Sequence, residues 1–434
     1  MAGRTTVALG RPGDVLRGGI PAPEELTTLN AIVATLNAVV ATSGRAVRRS
    51  RLFDDGSRLL YGDLHNHSLL SDGSGNPEAA FLQLRAAGLD VAALTDHSSI
   101  PPHLLPELGL AQYPDHNAVA IARCAPHSID GAGWERVARI ADSIDRPGDF
   151  TALRGFEWTE PWLGHINVWF SDRLLAVTRP GTLAGLHSWL GEEDQALFGY
   201  NHPGREPGRL GGFSGPPSPD LARRMVTLEV FNRYDDFLFA GHALGQPSPV
   251  VAVLDSGWRP GLIGSSDEHG RSYALPGKGR CGLWAYSHSR PGIREALLAR
   301  RTFATRELEL HLDLTLDGVR MGGTVPTPAS STRAGGTAPG SHRHQVAVDL
   351  SGDDDGEQAV VQFLVSDGSG AVVVGAEHLL RMGEVARFEL DLPSSPWVVA
   401  RVGDPRRVDE LAPPGHPVSS WALGYASPWW LDRV

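Results

Sequence analysis

The stretch Gly62-Asp63-Leu64-His65-Asn66-His67, with Ser71-Asp72-Gly73 close behind, decides how the rest of the chain is read. Leu59 to Leu64 is an apolar run of strand length. His65 and His67 stand two apart at its end, so both side chains leave the same face. Asn76-Pro77 then offers a cap and a proline for the first helical turn, predicting a helix that stops at Gly88. Leu89 to Leu94 is a second strand, and it too ends in reactive side chains, Thr95-Asp96-His97.

The pattern repeats outward from there. Thr151 to Gly155 is followed by Glu157, His165 opens a strand to Phe170, and Leu197 to Asn201 leads into His202-Pro203. Glu229 lies within Val226 to Phe231, and Leu262 to Ser265 runs into Ser266-Asp267-Glu268-His269-Gly270. Short strands alternating with helices predict an α/β fold with a parallel sheet, open or closed into a barrel. A single His at a strand end is ordinarily a satisfied polar residue. Here nearly every strand delivers a ligand-type side chain at its carboxyl end or just beyond. In a parallel barrel those ends converge on one face, where active sites are built.

Composition narrows the chemistry. The 434 residues suffice for two or three domains, and 41% hydrophobic with 21% charged residues excludes a disordered or fibrous chain. The formal charge is −11 and the pI about 5.8, which gives no electrostatic footprint for duplex nucleic acid. The only cysteines, Cys124 and Cys281, are too few for a disulfide framework or a thiolate zinc site. With 17 histidines, any metal is bound through nitrogen and oxygen. No stretch approaches the roughly 18 apolar residues that span a bilayer. The pair Arg48-Arg49 is followed by Asp54, Asp55 and Arg58 where an export signal needs an apolar run, so a cytoplasmic protein without membrane contact is expected.

Three regions follow. Residues 1–58 read as a helical extension in which Leu26, Leu29, Val33, Leu36 and Val40 form an apolar stripe. That stripe suits packing on the main domain or a homo-oligomer contact. Residues 59–306 carry the strand–helix alternation, with long loops at Ser98 to Trp134 and Pro203 to Pro219. After Arg306, alternate leucines from Leu308 to Leu316 predict a half-buried strand. More strands follow at Gln345 to Leu350, Ala359 to Val365, Ala371 to Val374, Arg387 to Leu392 and Trp397 to Val402. Thr327 to His342 between them is a low-complexity loop, and residues 307–434 are expected as a β-sandwich.

Nitrogen and carboxylate donors without thiolate suit Zn²⁺, Mn²⁺ or Fe²⁺. About eight such side chains exceed the needs of one ion, so two or three divalent ions close together are expected, which lower the pKa of a bound water and clamp ester oxygens.

The runs Gly62 to His67, Ser71-Asp72-Gly73, Thr95-Asp96-His97, Gly155-Phe156-Glu157, Asn201-His202-Pro203 and Ser266-Asp267-Glu268-His269, in this order, resemble the polymerase-and-histidinol-phosphatase (PHP) superfamily over residues 59–306. Arg294 to Thr305, leading into the leucine-rich strand, and the terminal Ala426-Ser427-Pro428 resemble its carbaryl-hydrolase-like branch, which appends a β-domain. The resemblance implies a distorted seven-stranded (βα) barrel with up to three metals. It implies a first metal on His65, His67, Glu157 and Asp267, with Glu157 bridging to a second on His165 and His202. A third would take Asp72, His97 and His269, and many members have His where Asp72 stands. On this reading Glu157 is the bridge, while Asp267 or His269 steers the proton.

Arg205, Arg233 and Arg271 each follow a site motif directly, placed either to grip an anionic substrate or to pair with acidic neighbours such as Asp235 or Glu206. Glu229 either orients a metal ligand or packs in the barrel. Trp158, Trp162 and Trp169 either wall an apolar pocket or belong to the core. The expected activity is hydrolysis of a small anionic phosphomonoester or phosphodiester. Hydrolysis of a carbamate, ester or amide on the same metals is the alternative, and a non-catalytic metal or ligand sensor is a third class.

Overall fold

A computed structural model describes residues 47–100, 128–160, 163–177, 183–205, 215–327 and 341–433. The expected N-terminal helix and most of the two long loops lie outside them. The first part of the chain runs β1 (Arg48–Arg49), β2 (Arg58–Asp63), α1 (Pro77–Ala86), β3 (Val91–Leu94), β4 (His97–Ser98), α2 (Gly131–Ile144), β5 (Thr151–Glu160) and β6 (Gly164–Trp169). It continues through α3 (Ala184–Glu192), β7 (Leu197–Tyr200), α4 (Pro219–Arg224), β8 (Met225–Asn232), β9 (Asp235–Asp236), α5 (Pro249–Asp255), β10 (Gly261–Ser265), β11 (Arg280–Ala285), α6 (Arg290–Leu298) and β12 (Thr302–Thr305). Local chemistry fixes the helix starts. Asn76, Ser218, Ser248 and Ser289 each accept backbone N–H groups at a helix start that also carries a proline.

The strands pair in a cycle. β2 pairs in parallel with β3, β3 with β5, β7 with β8, and β8 with β10. Just past their ends β10 and β2 meet: Asn66 bridges Glu268, and Asp267 N donates to His65 O at 2.9 Å. One departure from the expected βα units is that β6 is antiparallel to both β5 and β7. Only three residues separate β5 from β6, and a parallel crossover needs a dozen or more. β5 also runs on to Glu160, so Glu157 sits inside the strand instead of following it. Gly155 allows the close approach of neighbours there, since a Cβ would stand 2.7 Å from Val168 O and 2.9 Å from Thr95 Cγ2.

Strand alternation divides the apolar side chains between two cores. Leu60, Leu64, Val91, Ala93, Leu153 and Trp169 gather in one, joined by Ile293 and Leu297 of α6. Leu59, Tyr61, Ala92, Leu94 and Phe156 belong to the other, larger core. The first carries the chain up to His65, directly after Leu64, so a dry floor ends where the polar site begins.

Among the described residues the remaining elements are all strands: β13 (His311–Leu316), β14 (Val319–Arg320), β15 (Thr324–Thr327), β16 (Ser341–Ser351), β17 (Gln358–Val365), β18 (Val373–Arg381), β19 (Val385–Pro393), β20 (Trp397–Val408), β21 (Ser420–Ala426) and β22 (Trp429–Arg433). β14, β13, β16 and β19 form one sheet. The others are continuous with the earlier strands, because β21 pairs with β12 and β12 with β11, which lies antiparallel to β2. The leucine-rich strand starts at His311, later than the Leu308 of the alternation, and it is buried on both faces: Asp313 stands opposite Asp349, both fully buried. Cys281 is a buried free thiol. Among the described residues, no helix is long and apolar enough to cross a membrane.

Candidate metal centre

Glu157 is a fully buried carboxylate ringed by imidazoles. Its Oε1 lies 3.2 Å from His65 Nε2, 3.3 Å from His165 Nδ1 and 3.2 Å from His202 Nε2. Its Oε2 lies 2.7 Å from His97 Nδ1 and 3.6 Å from His67 Nε2. These five histidines come from the ends of β2, β4, β6 and β7, so convergence of strand ends builds the site. Burial by itself raises the Glu157 carboxyl, but facing His165, His65 and His97 hold it well below the usual carboxylate range.

Asp267 completes the other side. Its Oδ1 is 3.2 Å from His67 Nε2, 3.4 Å from His65 Nε2 and 3.3 Å from His269 Nδ1. Asp72 Oδ1 lies 3.4 Å from His269 Nε2 and 3.5 Å from His97 Nε2. Both Asp267 and His202 hold left-handed backbone angles, φ +46° and +28°, that side-chain-bearing residues rarely adopt. All nine ligand-type residues anticipated from sequence are therefore brought into one cluster.

The donor set fits divalent cations. Four groups of atoms each lie within 4.8 Å of one another: His67, Asp72, His97 and His269; His65, His202 and Asp267; His65, His67 and Glu157; His97, Glu157 and His165. The trio expected for a third metal falls in the first group. His165 and His202 both face Glu157 Oε1 but fall in different groups. Ring nitrogens also confront one another, His65 Nε2 at 3.1 Å from His67 Nε2 and His97 Nε2 at 3.3 Å from His269 Nε2. Two facing lone pairs repel unless a cation or proton sits between them. Glu157 Oε2 and Asp267 Oδ1 are buried without a hydrogen-bond donor, which leaves each with capacity for a cation.

Surrounding groups lock these side chains. Glu229 Oε1 is 2.8 Å from His65 Nδ1, and its Oε2 accepts from His202 N and Asn232 Nδ2, each at 2.7 Å. Glu229 thus orients the His65 ring. Asn201 Nδ2 donates to Glu157 Oε1 at 2.7 Å, and Thr159 Oγ1 is 2.6 Å from His97 Nδ1. Asp96 accepts from Ser68 N, Ser68 Oγ and Ser71 Oγ at 2.7–2.9 Å, pinning the turn that delivers Asp72. Asn201 and Asp96 stood inside the motifs already quoted, but sequence gave no reason to assign them work. Thr159 and Asn232 carried no signal.

The arginines separate. Arg205 Nη1 donates to Asp267 Oδ2 at 2.6 Å, and its Nη2 bonds Asn232 Oδ1. Arg233 Nη2 is 3.1 Å from His269 Nδ1 and its Nε donates to Asp267 O at 3.3 Å, with 43% of the side chain exposed. Arg271 is exposed and donates to Ser74 O, outside the carboxylate cluster. Trp158 and Trp169 are core residues, Trp169 donating to Leu64 O at 3.1 Å. Trp162 lies outside the described residues.

No family model matches the chain, and no curated protein matches it. Among solved structures it is similar to a two-domain protein containing a predicted PHP-like metal-dependent phosphoesterase from Bacteroides vulgatus, at 17% identity and TM-score 0.41, over 88% of this chain and 100% of that one. It is similar to a putative metal-dependent phosphoesterase from Bifidobacterium adolescentis, at 13% identity and TM-score 0.31, over 54% of this chain and 95% of the other. An amidohydrolase from Chromobacterium violaceum is similar at 16% identity and TM-score 0.25, over 48% of this chain and 87% of the other.

Proposed function

We propose that the chain is a metal-dependent hydrolase of phosphate esters, its cycle of strands a distorted seven-stranded (βα) barrel and its residues after 306 a C-terminal β domain. The observation that carries the reading is the buried Glu157 carboxylate, each oxygen facing a different set of histidines, with Asp267 and Asp72 alongside. Two or three divalent ions bound there supply positive charge for a developing oxyanion and make a water acidic enough to react near neutral pH.

The chain's own residues do the rest. Glu229 turns His65 so that Nε2 faces Glu157 and Asp267. Arg205 holds Asp267 in place. Of the two arginines beside Asp267, Arg233 is the more exposed, and its planar fork suits two oxygens of a phosphate. Asp72 and His269, each with 26% of the side chain exposed, mark the solvent edge of the cluster. His269, with Nδ1 toward Asp267, is placed there to pass a proton outward.

The test is a panel of aryl phosphate, phosphodiester, aryl carbamate and aryl ester, assayed with protein reconstituted in Mn²⁺ or Zn²⁺ and analysed for metal. The expected result is phosphoester turnover with two or three ions per chain, by analogy with multimetal sites. Turnover confined to the carbamate or ester moves the chemistry to carbon. Fewer than about one ion per chain, with no activity on any substrate, overturns the enzyme reading.

A further inference from the structure

We propose that Tyr425, on the last-but-one strand, is a positioning residue for Arg233, so that the C-terminal β region completes the substrate-binding edge of the site. This rests on the phosphate-ester reading for what Arg233 grips, but not for how Arg233 is held.

Arg233 and Tyr234 form the tip of a hairpin in which Asn232 pairs with Asp235 and Phe231 with Asp236. Arg233 adopts φ +51°, a left-handed angle that surrounding contacts must maintain. On the inner side its N–H donates to Ser265 O at 3.0 Å, and its carbonyl accepts from Gly279 N at 2.8 Å. The outer side is held by residues from β12 onward. Arg306 Nη1 donates to Tyr234 O at 3.2 Å, while its guanidinium lies 3.9 Å from the Trp421 ring centre and 4.4 Å from that of Phe231. Tyr425 Oη donates to Asp236 Oδ2 at 2.8 Å, and Asp236 Oδ1 accepts from Leu238 N at 3.0 Å.

The direction of that phenol bond is set by chemistry. Arg401, fully buried, directs Nε to Tyr425 Oη at 3.2 Å, and is itself fixed by Gln362 Oε1 at 3.1 Å and Ser420 Oγ at 2.9 Å. A guanidinium only donates, so the Tyr425 oxygen accepts and its proton points to Asp236. The result is one buried polar chain from Arg401 through Tyr425 to Asp236, ending in the hairpin that presents Arg233 to His269 and Asp267. An apolar contact would join the two regions at lower desolvation cost, whereas hydrogen bonds with one allowed direction fix register.

The experiment compares Tyr425→Phe, Asp236→Asn, Arg233→Ala and the Tyr425→Phe/Arg233→Ala double variant of the full chain. Tyr425→Phe removes one hydroxyl, and the expected outcome is a KM for aryl phosphate raised about tenfold with kcat within about twofold. Metal content should stay unchanged. Asp236 accepts on both oxygens, from Tyr425 Oη and from Leu238 N, so the amide of Asp236→Asn sets its NH₂ against one of these donors and should raise KM as Tyr425→Phe does. The double variant should be no worse than Arg233→Ala alone, since both act through one guanidinium. Hydrogen exchange provides a readout independent of turnover: Arg233 and Phe237 amides should exchange about tenfold faster in Tyr425→Phe. Unchanged exchange, or additive effects in the double variant, overturns the proposal. Faster hairpin exchange in a protein that hydrolyses no phosphoester sustains the positioning role and rejects the substrate reading instead.

Discussion

Glu229 Oε1 lies 2.8 Å from His65 Nδ1, and the two side chains are buried together beneath the cluster. Because that nitrogen donates to a carboxylate, the lone pair of His65 is left on Nε2, the atom facing Glu157 and Asp267. Glu229 is also surrounded by donors on both oxygens: Ser265 Oγ with His65 on Oε1, and His202 N with Asn232 Nδ2 on Oε2. An amide accepts on one side only, so either orientation of Gln sets its NH₂ against donors. Glu229→Gln should therefore weaken metal binding about tenfold to a hundredfold, measured by titration of chelator-treated protein. Unchanged affinity would reduce Glu229 to a packing residue.

What was legible in the sequence was the order of ligand-type residues along strand ends, because a two-residue period and short apolar runs are local signals. The cap at Asn76-Pro77 was legible for the same reason. The reversal of β6 was not, since an antiparallel strand reads like a parallel one and only the short connection after Glu160 betrays it. Nor was the fate of Arg205: an arginine after a site motif fits a substrate grip equally well, and only the fold puts Asp267 within reach of its guanidinium. The continuity of β12 with β21 spans more than a hundred residues of chain, beyond any local pattern.

Asp349 gives a pH prediction away from the metal site. Burial raises its carboxyl, but hydrogen bonds from His311 and Arg51 outweigh this and bring it down to about 2 from 3.8. A depressed carboxylate contributes stability above its unfolded pKa and loses it as pH falls through the folded value. Wild type should thus exceed Asp349→Asn by about 2 kcal/mol at pH 7, a gap that closes between about pH 4 and 2. Urea unfolding at several pH values checks it. The segment at stake is Ser50-Arg51, where Arg51 N and Nε each donate to Asp349 at 2.8 Å.

Glu157→Gln removes the one charge that five imidazoles share. The amide keeps the shape and one acceptor for Asn201, but it presents a donor to nitrogens on one side of the cluster. Metal content should fall, and kcat with it by about a hundredfold or more. Elemental analysis paired with turnover decides this. Full metal content with near-normal kcat would mean that the carboxylate is not shared between cations.

Arg205 and Arg233 should respond to alanine in opposite ways, although both stand beside Asp267. Arg205 is committed at both ends, to Asp267 Oδ2 at 2.6 Å and to Asn232, which itself donates to Glu229. Removing it takes from a buried carboxylate the nearer of its two guanidinium partners and frees Asn232, so Arg205→Ala should cost about 2–3 kcal/mol of stability. Its guanidinium has no fork left to offer a substrate, so KM should move by no more than about twofold. Arg233 has the more exposed side chain, 43% against 29%, and touches Asp267 at longer range, Nε to the carbonyl at 3.3 Å and Nη2 to Oδ2 at 3.4 Å. Arg233→Ala should raise KM for a phosphoester about tenfold with little loss of stability. Thermal unfolding and initial rates on the two variants separate the roles. A raised KM with unchanged stability in Arg205→Ala would show that this arginine releases Asp267 and turns to the substrate.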